Sequence, residues 1–88
     1  MATLFEVKLD TRAEIVDFHV ILPDGSHYAH SSSKTGNLAI QKGWLGGTTL
    51  RARLRDGLAA VRMVAVLADG RRADLGSIAP FGHRTIQI

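Results

Sequence analysis

Apolar and polar residues alternate with a period of two along much of this chain, and that pattern restricts it to pleated strands with one buried face. Phe5, Val7 and Leu9 fall on one side of such a strand, with Glu6 and Lys8 on the other. Val16, Phe18, Val20 and Leu22 form a second apolar face, opposed by Ile15, Asp17, His19 and Ile21. Leu50, Ala52 and Leu54 repeat the pattern against Thr49, Arg51, Arg53 and Arg55. Arg84, Ile86 and Ile88 do so against Thr85 and Gln87.

Turn residues punctuate these runs. Leu22-Pro23-Asp24-Gly25-Ser26 combines a preset φ, a side chain that bonds the backbone ahead of it, and a residue tolerant of positive φ. It predicts a hairpin over residues 15–30. A polar loop follows at 31–37, then a short strand at 38–40 and a glycine-rich corner at 43–47. Asp56-Gly57 marks another turn. Residues 61–67 and 72–78, joined through Ala68-Asp69-Gly70-Arg71, predict a second hairpin. Residues 19–25 and 64–70 echo one another, each ending in Leu, one residue, Asp and Gly. Pro80-Phe81-Gly82 breaks the chain. Thr11 to Glu14 fits a capping box, so one helical turn is an alternative there. Residues 58–68 carry helix formers between Asp56 and Gly70, but β-branched Val61, Val64 and Val66 favour a strand. The expected fold is all-β: a small antiparallel β-sandwich or barrel of about seven short strands in one domain, residues 1–88. The alternative is α+β with one helix near residues 57–68.

At this length a chain buries roughly 60–65% of its unfolded surface. Only five aromatic residues are present, so the core is expected to be mainly aliphatic. The absence of cysteine excludes disulfides and thiolate metal sites. Neither a signal peptide nor a membrane-spanning run is evident. A cytoplasmic location is expected, with membership of a virion or exported assembly also compatible. Charge is uneven: residues 1–44 hold four basic and five acidic side chains, residues 45–88 seven and three. Such asymmetry points toward an anionic partner, although arginine-rich usage also arises from genome composition.

Three surfaces stand out. Arg51, Arg53 and Arg55 project from one strand face about 6.6 Å apart, a spacing suited to nucleic acid or another polyanion. The competing reading is a solvated face of an edge strand, where charge blocks unwanted pairing. Trp44 and Leu45, flanked by glycines, form either an exposed binding knuckle or a plug at one end of the core. Ile86 and Ile88 lie on a strand able to pair edge-on with another chain. Lys42-Gly43-Trp44 also resembles the lysine-glycine-aromatic stretch of cold-shock domains, whose second aromatic motif is absent here.

The histidines depend on register. If Asp24-Gly25 is a two-residue loop, His19, His30, Tyr28 and Asp17 share one sheet face, as in a metal- or pH-dependent binder. A three-residue loop dissolves that cluster. No third ligand is spaced for a metal, and no cofactor motif is present. Ser31, Ser32 and Ser33 neighbour His30 in sequence only, and a triad is defined by geometry. The leading expectation is a non-enzymatic protein–protein interaction or assembly subunit, self-associating or part of a larger particle. A polyanion-binding module is the alternative, and a histidine-dependent binder the second.

Overall fold

The computed structural model describes residues 2–43 and 46–88. Among these the strands are β1 (Thr3–Asp10), β2 (Ile15–Ile21), β3 (His27–Ala29), β4 (Leu38–Lys42), β5 (Thr48–Leu54), β6 (Val61–Leu67), β7 (Arg72–Ile78) and β8 (Thr85–Gln87). A single 3-10 turn, His30–Ser32, lies in the predicted polar loop. Residues 58–68 contain strand β6 and no helix. Residues 11–14 are not helical either; the Thr11 hydroxyl accepts the Ala13 N–H at 3.0 Å in a local turn.

The strands form two four-stranded sheets, ordered β4-β5-β1-β8 and β3-β2-β6-β7, that pack as a β-sandwich. All pairings are antiparallel except β1 with β8, which run parallel. The core lies between the sheets. One sheet contributes Phe5, Val7, Leu9, Leu50 and Ala52, the other Phe18, Val20, Met63, Ala65 and Ile78. Alternation along each strand sends these residues inward, because successive side chains leave a pleated backbone on opposite sides.

The sequence pattern fails at one strand. Ile15 pairs with Leu67 but Asp17 with Val66, so Val16 is an extra residue in a β-bulge. Alternation alone assigns Val16 to the apolar face and Ile15 to the outer one. The bulge exchanges them: Ile15 is 2% exposed and Val16 48%.

The two echoing segments adopt the same loop. In each, the N–H of Leu22 or Leu67 donates to the carbonyl of Ser26 or Arg71 at 2.9 Å. In each, Asp24 or Asp69 accepts the N–H two residues on, also at 2.9 Å. Gly25 and Gly70 close the loops at φ of 88° and 90°. Both are three-residue hairpin loops with glycine in the left-handed position. Nothing lies within 4 Å of a Cβ built at either glycine, so substitution there costs backbone energy alone. Gly25→Val and Gly70→Val are each expected to destabilise the protein by about 1–2 kcal/mol in urea unfolding.

Candidate anion-binding cleft

The three-residue loop sets where the β3 side chains go. It pairs His19 with Ala29, Val20 with Tyr28 and Ile21 with His27. Cross-strand partners point to the same side of a sheet. Val20 is fully buried, so Tyr28 is turned toward the interior side rather than the outer face. Because β3 is an edge strand, Tyr28 hangs over the gap between the sheets and stays 45% exposed.

That gap is a cleft of about 830 Å³. Its apolar lining includes Leu22, Leu38 and Leu54, and neutral polar groups come from Ser32, Ser33, Thr35 and Asn37. The cations Lys34, Arg53 and Arg55 also line it, and among the described residues no aspartate or glutamate does. The N–H of Arg53 donates to the Asn37 carbonyl at 2.8 Å, tying the loop before β4 to β5. The hydroxyls of Ser33 and Thr35 lie 3.3 Å apart.

The arginine strand differs from its expected arrangement. β5 is an interior strand, flanked by β4 and β1, so edge protection does not explain its charges. Glu6 lies opposite Arg51 and accepts from its Nε, while Nη1 donates to Gln41 at 2.6 Å. Arg55 lies beyond the strand and donates to Asp24 at 2.9 Å. Arg53, facing Leu4 across the sheet, is in no ion pair among the described residues, and Lys34 is likewise without one. The three arginines therefore do not act as one uniform patch. Arg53 and Arg55 join Lys34 in the cleft, and Arg51 is held by Glu6.

Asp24 itself sits far below the ordinary carboxylate value, at about 2. The backbone N–H of Ser26 is the main cause, followed by the Ser26 hydroxyl and the Arg55 guanidinium. In a carboxyl-resolved NMR titration, Asp24 is expected to titrate near pH 2. Arg55→Ala should raise that midpoint while leaving it below 3.8, since the Ser26 donors remain. An Asp24 midpoint at or above 3.8 in the intact protein contradicts this account.

The histidine cluster re-forms with different members. His30 stacks on Phe18 with ring centres 5.9 Å apart, on the opposite side from His19. His19 instead meets His27, Nδ1 to Nε2, at 2.6 Å. On its other side, His19 Nε2 lies 3.5 Å from Asp17 Oδ2. Asp17 also accepts the backbone N–H and hydroxyl of Ser31 at 2.9 and 2.8 Å. Burial raises the Asp17 value, but the Ser31 donors, the Phe18 N–H and the His19 charge outweigh it and hold the carboxyl below 3.8. Its stabilising contribution is therefore complete above the ordinary carboxyl range and is lost as pH falls through the lower folded value. Asp17→Ala is expected to cost about 1–2 kcal/mol in urea unfolding and to speed amide exchange across residues 31–37. Among the described residues no group of three His, Cys, Asp or Glu side chains is placed to hold a metal ion.

Trp44 and Leu45, the sequence-based candidates for a binding knuckle, lie outside the described residues. Ile86 is half-buried against the core and Ile88 is exposed. β8 is an edge strand, anchored where the Ile88 N–H donates to the Asp10 carbonyl at 3.2 Å. Lys34 carries no sequence pattern that marks it. Tyr28 shares the outer face with His19 only under a two-residue loop; the loop has three residues, which dissolves that cluster and turns Tyr28 to the inner side.

No protein-family model, curated protein or solved structure matches this chain. Among the described residues no helix is long and apolar enough to cross a membrane.

Proposed function

We propose that this chain is a non-enzymatic binding domain that holds an anionic partner in the cleft between its two sheets. The observation that carries this reading is the lining of the cleft. Among the described residues it combines Lys34, Arg53 and Arg55 with no lining carboxylate, and only Arg55 of the three cations is in an ion pair, with Asp24. Guanidinium and ammonium groups left without a protein carboxylate favour a phosphate or carboxylate from outside. The test is titration with inorganic tripolyphosphate, followed by amide NMR. Shifts concentrated at residues 27–38 and 53–55 support the reading. Shifts confined to Arg12, Arg72 or Arg84, or no saturable shift at low salt, overturn it.

A second reading, assembly with further protein chains, is favoured by β8. Among the described residues that strand has a sheet partner on one side only, and Ile88 beside it is 43% exposed. Free edges recruit strands from other chains. Sedimentation of the intact chain should then show a larger species that Ile88→Lys converts to monomer. A monomer at every concentration removes this reading.

A further inference from the structure

Resting on the anion-binding reading, we infer that the cleft's partner is single-stranded nucleic acid, with Tyr28 as the platform on which a base stacks. Tyr28 is half exposed at the mouth of the cleft. The aromatic contacts of the described residues pair Phe18 with His30 and His19 with His27, and Tyr28 joins neither. No hydrogen bond occupies its hydroxyl among the described residues. Its ring is therefore without an aromatic partner among the described residues and is 45% exposed at the cleft.

The remaining lining discriminates between anions. An ionised carboxylate group offers only acceptors, so a lining matched to it needs donors alone. Ser32, Ser33, Thr35 and Asn37 both donate and accept. Base edges and sugar hydroxyls present donors and acceptors together, which matches that mixture. Lys34 and Arg53 then meet the phosphates, and the side chains of Leu54 and Ala29 underlie the sugar and base. Stacking on an aromatic ring tolerates every base, so the site reads strand form rather than sequence. The absence of aromatics from the arginine strand is thereby made good by β3, across the gap.

The experiment measures fluorescence anisotropy of labelled hexathymidylate and hexauridylate, with hexaglutamate and tripolyphosphate as competitors. Either oligonucleotide binding more tightly than hexaglutamate supports the inference. Tyr28→Ala should weaken oligonucleotide binding roughly 5- to 150-fold while leaving tripolyphosphate binding unchanged. Tyr28→Phe should retain it. Lys34→Gln combined with Arg53→Gln should weaken both probes. For two phosphate contacts, log affinity should fall with log salt at a slope of about −1.4. Equal binding of hexaglutamate and oligonucleotide, or no effect of Tyr28→Ala, overturns the nucleic-acid assignment and leaves the anion cleft standing. Failure of every anion to bind overturns both.

Discussion

Phe18→Ala is expected to cost about 3–5 kcal/mol and to bring the chain close to global unfolding. Phe18 is fully buried and is one of only two phenylalanines in the core. Among the described residues the rest of the core consists of Phe5, Met63 and aliphatic side chains, which relax only partly into the space left behind. His30, stacked on Phe18, also loses the surface it packs against. A chain of this length holds about 4–13 kcal/mol of stability in all. The loss is therefore a large share of the total, and urea unfolding should show a midpoint shifted strongly downward with little change in slope. Phe81→Ala supplies the contrast. Phe81 is 66% exposed, so its truncation should stay within about 0.5 kcal/mol. Equal costs at the two positions would contradict the packing described here.

The second large effect separates two adjacent residues. Ile15→Asp should destabilise the protein by about 3–5 kcal/mol, because it places a carboxylate without a partner in the apolar layer beside Leu67. Val16→Asp should change stability by no more than about 0.5 kcal/mol. Uninterrupted alternation from Val16 to Leu22 demands the reverse order, so the pair measures the bulge directly. Thermal or urea unfolding of the two variants suffices. A tolerated Ile15→Asp with a damaging Val16→Asp would remove the bulge and shift the start of β2 by one residue.

The cleft and the fold were legible in the chain to different degrees. Phe5, Val7 and Leu9, or Leu50 and Ala52, announce their buried face because strand alternation is a local property of the backbone. The hairpins at Pro23-Asp24-Gly25 and Ala68-Asp69-Gly70 are equally local, since aspartate bonding and glycine's positive φ act within a few residues. The all-β class follows from such pieces, whereas the division into two four-stranded sheets, left open between sandwich and barrel by the sequence, is set by the tertiary pairing. The helix alternative near 57–68 fails because β6 lies between β2 and β7 and buries Val61, Met63, Ala65 and Leu67 on one side, an environment that rewards β-branched residues.

What the amino-acid order determined alone was therefore the strand content, most inward-facing residues and the sites of reversal. Only the tertiary structure decided the partners. Loop length put Tyr28 over the cleft and His30 against Phe18, because a one-residue change in register turns a strand's side chains to the other face. Sheet order made β5 an interior strand and set Glu6 against Arg51. Folding the 33–37 loop back onto β5 brought Lys34 to Arg53 and Arg55. The pairings of Glu6 with Arg51 and of the 33–37 loop with β5 join residues far apart along the chain, and no short-range preference of the backbone encodes them.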